Sequence, residues 1–130
     1  MVQAFRKEQQ HMRLFAWAAG AAFVMGMSLS GAAQDQPLKG TLMDVACSSH
    51  HATEAGYTEK HDKKCLLMDA CVKSGYSVVT ADKKVLKFDA KGNDMALALI
   101  KSTDHDKDWK VTVNGKVTGD TIAVTDIKLQ

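Results

Sequence analysis

Residues 76–118, YSVVTADKKVLKFDAKGNDMALALIKSTDHDKDWKVTVNGKVT, carry the pattern that decides the fold. Tyr76–Ala81 (YSVVTA) and Val85–Asp89 (VLKFD) are β-branched and aromatic runs on either side of Asp82-Lys83, which predicts two strands joined by a turn. Ala90–Gly92 reads as a break. Asn93 then stands as the N-cap of a helix over Asp94–Lys101 (DMALALIK), with Asp94 favourable in the first turn. Met95, Ala98 and Leu99 give this helix an inward stripe that Leu97 and Ile100 widen, and such a stripe packs a core. Trp109–Thr118 returns to strand, with Val111 and Val113 on one face. Asn114-Gly115 fits a two-residue hairpin turn. The arms of that hairpin would be very short, so the expectation is a glycine bulge in a longer strand that turns at Gly119-Asp120.

Outward from this stretch, Thr121–Leu129 completes the strands. Ile122 and Val124 alternate and Ile127 and Leu129 continue out of phase, which predicts a second bulge near Thr125-Asp126. Upstream, Leu38–Ala46 (LKGTLMDVA) reads as a first strand with Leu42 and Val45 turned inward. Ser48–Lys64 is polar, charged and read mostly as loop, of a length that in compact domains is usually functional or externally stapled. Leu66, Leu67, Ala70 and Cys71 have helical spacing, so Cys65–Ser74 reads as one helix closed by Gly75. The expected fold is mainly β (α+β). It is a small OB-like five-stranded barrel with a Cys/His-bearing loop-helix insertion after strand 1 and a short helix between strands 3 and 4. That insertion replaces the first connection, which in OB barrels lies at the ligand-binding end.

Residues 1–33 read as a secretory signal peptide. Arg6, Lys7 and Arg13 precede the apolar run Leu14–Leu29, and Gly31-Ala32-Ala33 offers small residues for cleavage before Gln34. The run is shorter than the roughly 20 residues of a spanning helix, so no stable membrane insertion is expected after processing. Residues 34–130 then form a single OB-like domain, periplasmic or secreted. Removing Arg6, Lys7, Arg13 and Glu8 from the 17 basic and 15 acidic residues leaves 14 of each. Every basic residue after the cleavage point is lysine. A neutral domain without a guanidinium fork is poorly suited to phosphate or base edges, which excludes nucleic acid.

Between residues 47 and 71 lie all 3 cysteines of the chain, Cys47, Cys65 and Cys71, with His50, His51 and His61 among them. Cys47 with His50 or His51 gives Cys-x2-His or Cys-x3-His, and His61 and Cys65 are one helical turn apart. Thiolates with imidazole suit zinc in a closed site and also copper, above all Cu(I). The candidate metal ligands are therefore Cys47, His51, His61, Cys65 and Cys71, with Asp44 placed to orient one of them. The alternative is a disulfide-stapled structural or interaction domain, because exported small domains pair their cysteines. Cys47 would then bond Cys65 or Cys71 and leave one unpaired thiol. A Cys65–Cys71 bridge is disfavoured by their offset on a continuous helix.

Catalytic signatures are missing. There is no Cys-x2-Cys pair, serine elbow or phosphate loop, and no recognised motif surrounds a cysteine nucleophile. The Asp104–Asp108 loop (DHDKD) lacks the glycine of an EF-hand and reads as solvated. Trp109 and Tyr76 have only Tyr57 and Phe88 as further aromatics after the signal, too few for a base-stacking platform, so both are assigned to packing.

Asp44-Val45-Ala46-Cys47, a following His50 or His51, Cys65, Cys71-Val72-Lys73-Ser74-Gly75 and Gly119-Asp120-Thr121-Ile122 together resemble a layout in small exported bacterial proteins of uncharacterised function. Thr41-Leu42 stands where that layout has a tryptophan. The resemblance spans nearly the whole mature chain and implies an OB-like fold with a recurring three-cysteine pattern, without an activity. The function expected is a non-enzymatic binding module for a soft metal, zinc or copper, whose partner is a protein or a small ligand.

Overall fold

The computed structural model describes residues 37–130. The expected signal segment, residues 1–33, lies outside the described residues. The strands are β1 (Leu38–Asp44), β2 (Tyr76–Val79), β3 (Val85–Phe88), β4 (Lys110–Thr118) and β5 (Thr121–Leu129). Four short helices fill the β1–β2 connection: α1 (Val45–His51), α2 (Tyr57–Lys60), α3 (Lys63–Leu66) and α4 (Asp69–Ser74). A longer helix, α5 (Ala90–Ser102), joins β3 to β4. The strands close in the order β1-β2-β3-β5-β4. All neighbours are antiparallel except β3 and β5, which run parallel, so the ring is a mixed sheet in an α+β architecture.

Alternation along the strands explains the two cores. Leu42, Tyr76, Val78, Leu86, Phe88, Val111, Val113, Ile122, Val124 and Ile127 pack inside the ring, with Ala96 and Ile100 of α5 and Leu66 of α3. Trp109 joins them at 0% exposure, so it and Tyr76 are packing residues, as the sequence predicts. Their neighbours along the strands, Met43 and Val79, face the other way. They are buried too, because the insertion covers that face with Ala52, Cys47 and Tyr57.

One irregularity serves for the two bulges read from the sequence. Asn114 pairs with Asp126 and Gly115 with Val124, so Thr125 is the extra residue. A Cβ at Gly115 would collide with the Ala123 carbonyl, and only glycine allows this approach. The turn then falls at Gly119-Asp120.

Four expectations are corrected. Ser48–Lys64 is a series of helical turns instead of loop, and β1 stops at Asp44 because Asp44 caps α1 through the Cys47 amide, 2.9 Å. Cys65–Ser74 is two helices, broken at Leu67-Met68, with Gly75 ending the second at φ 81°. The α5 helix begins at Ala90, capped by Asp89, whose Oδ1 accepts from Gly92 N at 2.9 Å. Gly92 does not break it, because it faces inward where an added Cβ would press on Val124. Asn93 sits within the helix, and its Oδ1 accepts from Tyr76 N at 2.8 Å. The inward stripe is consequently Gly92, Ala96 and Ile100, with Met95, Leu97 and Leu99 half-buried and Ala98 exposed.

The insertion is tied to the α5–β4 connection. Lys63 N donates to Asp106 O at 2.7 Å and its ammonium to Thr103 O at 2.6 Å. The backbones of Asp62 and Lys107 form an isolated antiparallel β-bridge, and Trp109 Nε1 donates to the same Asp106 carbonyl at 2.9 Å.

Candidate metal centre

Where β1 gives way to α1, the chain turns on Asp44. Its backbone is still extended, and its carboxylate reaches forward to the amide three residues on, as an N-cap does. The same geometry brings Cys47 onto the first turn of α1 and points it back at the carboxylate. Cys71 arrives from α4, a helix held by its Ser74 hydroxyl, which donates to Cys71 O at 2.7 Å while accepting from Ala46 N at 3.1 Å. One ligand atom each from Asp44, Cys47 and Cys71 lies within 4.8 Å of the other two. Asp44 is fully buried and Cys71 nearly so, whereas Cys47 is half-buried. These three groups lie close enough to hold one metal ion.

His61 completes the cluster from behind. Its Nε2 donates to Asp44 Oδ2 at 2.8 Å, with both side chains out of solvent. A carboxylate only accepts, so the proton sits on Nε2. Burial pushes the Asp44 carboxyl up, but the His61 bond and the Cys47 amide outweigh it and hold the group below the usual aspartate range. A charged oxygen pair is thus fixed inside the protein by two donors.

The thiols respond in the opposite sense. Burial, then the charge of Asp44, pushes Cys71 up to about 12. Burial also raises Cys47, opposed by a hydrogen bond from the Tyr57 hydroxyl and assisted by Asp44. Tyr57 is itself pushed to about 12, first by that bond to Cys47 and then by burial. At neutral pH both thiols keep their protons and face a carboxylate. A divalent ion that displaces the two protons leaves the net charge of the site unchanged, so the donor set fits such an ion.

Of the residues selected from sequence, the structure gathers Cys47 and Cys71 directly and His61 through Asp44. His51 stacks on Tyr57 at 4.3 Å between ring centroids and bonds Glu54 through Nδ1 at 2.8 Å, one residue removed from the thiol. Cys65 stands outside the group of three, at the start of α3, where its amide bonds the capping Asp62 at 2.8 Å. Burial, followed by Asp62, raises the Cys65 thiol. The sequence reading set Asp44 behind a ligand, but it lies within the group. Tyr57 went unnoticed as a neighbour of Cys47. An Asp-x-x-Cys spacing before a helix is a legible cue for the first, because an N-cap carboxylate must approach the third residue on. No sequence cue places Tyr57. None of the three cysteines is in a disulfide.

Comparison with protein families, with curated proteins and with solved structures finds no match to this chain.

Proposed function

We propose that this chain is an exported binding module that holds a soft divalent metal, zinc in the first place, between Asp44, Cys47 and Cys71. The observation that carries the reading is the convergence of two thiols and a buried carboxylate within 4.8 Å. Zinc takes thiolate at about 2.3 Å and carboxylate oxygen at about 2.1 Å, so an inward shift of the order of an ångström closes the site. His61 acts as the outer partner that orients Asp44, a role whose loss costs about 10–100-fold in affinity at comparable sites. Copper(I) is the weaker candidate, because replacing two thiol protons by one positive charge leaves the buried cluster more negative.

The closed strand order with its parallel β3–β5 pair supports an OB-like barrel, with the cluster at the end where the first connection departs. The resemblance to small exported bacterial proteins and the apolar segment before residue 34 support export to the periplasm or beyond. The partner that delivers or receives the ion is a protein or a small chelating ligand.

Anaerobic titration of the reduced protein with Co²⁺ and Zn²⁺ tests the reading. One equivalent of cobalt is expected to give thiolate charge-transfer absorption that zinc abolishes. Cys71→Ser is expected to remove that absorption while leaving the circular dichroism of the fold. A reduced, folded protein that shows no thiolate absorption and no bound metal rules the reading out.

A further inference from the structure

We infer that Cys47 and Cys71 are also the two halves of a reversible disulfide, so that the site is switched between a metal-holding dithiol and a metal-excluding disulfide. This rests on the proposed metal site, since the same sulfurs serve both states. The two sulfurs lie within 4.8 Å of each other on α1 and α4, helices that pack together. Side-chain rotation brings sulfurs so placed to bonding distance when their Cβ atoms lie about 4 Å apart. Cys65 is excluded from the group of three and remains the single thiol outside the pair.

The oxidant is an external disulfide, small or protein-borne. Cys47 is the half-buried member of the pair and Cys71 the buried one, which fixes the order of events. The Cys47 thiolate attacks the external disulfide, a mixed disulfide forms at Cys47, and one external thiolate leaves. Cys71, deprotonated, then attacks the Cys47 sulfur and expels the second external thiolate. Two protein thiols are oxidised, one external disulfide is reduced to two thiols, and the two protons lost by the protein are carried by those products. Neither sulfur can then act as a thiolate ligand, which leaves Asp44 alone of the three donors.

The experiment equilibrates the metal-free full chain in glutathione and glutathione disulfide mixtures, traps free thiols by alkylation and maps the peptides by mass. A Cys47–Cys71 linked peptide with Cys65 alkylated is expected, reversed by dithiothreitol and absent in Cys71→Ser. Cys65→Ser is expected to retain both the link and zinc binding. The oxidised protein is expected to bind zinc at least about 100-fold more weakly than the reduced one, beyond the loss that follows from removing an outer partner alone. Alkylation of both Cys47 and Cys71 at the most oxidising ratio overturns the inference, as does a link through Cys65. Unchanged zinc affinity after the link has formed overturns it as well. A link that forms in a protein whose reduced form takes no metal refutes the metal reading and with it the switch, and leaves the reversible disulfide standing, because peptide mapping reads the bond without reference to zinc.

Discussion

The strand ring and the helical insertion are held by different forces. The ring has a continuous apolar interior that runs from Leu42 through Trp109 to Ile127, and its order follows from area removed from water. The insertion has a small apolar cluster under α1, around Met43, Ala52 and Val79. It relies as well on directional contacts: Asp44 to His61, Ser77 to Ser48 at 2.8 Å, Tyr76 to Leu66 O at 2.8 Å, and Asp62 to Cys65 N. The lesson is that in the insertion one carboxylate, Asp44, both caps α1 and anchors His61 and stands among the three groups close enough to hold a metal. Chemistry at the site is therefore felt as local stability, whereas in the ring it is not.

The contrast predicts two large effects of similar size and different reach. Trp109→Ala is expected to cost about 3–5 kcal/mol, as for large core truncations. Asp44→Ala leaves the buried His61 ring N–H without its acceptor and removes the α1 cap, for which about 2–4 kcal/mol is expected. Denaturant melts measure both, and hydrogen exchange separates them: the first lowers protection throughout the ring, the second chiefly in residues 45–74. Asp44→Asn keeps an acceptor for the Cys47 amide and is expected to recover part of the loss. Uniform loss in both variants would abolish the distinction.

The next effect is a pH dependence to which the insertion contributes through Cys71. The Cys71 thiol lies near 9.0 unfolded and is pushed to about 12 in the folded chain. Its contribution is complete below about pH 9 and is lost as pH rises from there towards 12, because the unfolded state gives up the proton first. Stability of the metal-free protein is expected to fall across that window, and Cys71→Ala to flatten the fall. Smaller again is Gly115→Ala in the ring, where crowding against the Ala123 carbonyl is expected to cost about 1–3 kcal/mol. The smallest is Asp62→Ala. Loss of that cap is expected to cost about 1 kcal/mol, read as faster exchange in Lys63–Leu66.

Legibility followed the same division. β-branched and aromatic runs exposed β2 and β3, period-two alternation exposed β4 and β5, and the phase slip between Val124 and Ile127 located the bulge, because a ring core leaves its period in the sequence. The start of α5 did not show. Gly92 resembles a breaker until its contact with Val124 is known, and Asp89 is as good a cap as Asn93. Helices of four residues such as Tyr57–Lys60 are too short to carry a periodicity, so the insertion read as loop. The site was half legible. Cysteines and histidines are rare enough to count, which singled out Cys47, Cys71 and His61. Which of them meet depends on the break at Leu67-Met68 and on where β1 ends, and neither has a strong local signature.

The anchoring of Lys63 to Thr103 and Asp106 has a temporal consequence. Synthesis is vectorial, so all three cysteines emerge from the ribosome well before the residues that pin the insertion in place. A contact spanning some forty residues forms late, after its loop-closure entropy can be met. Newly made chain therefore presents unassembled thiols, and whatever first meets them does so before Asp44, Cys47 and Cys71 are held together.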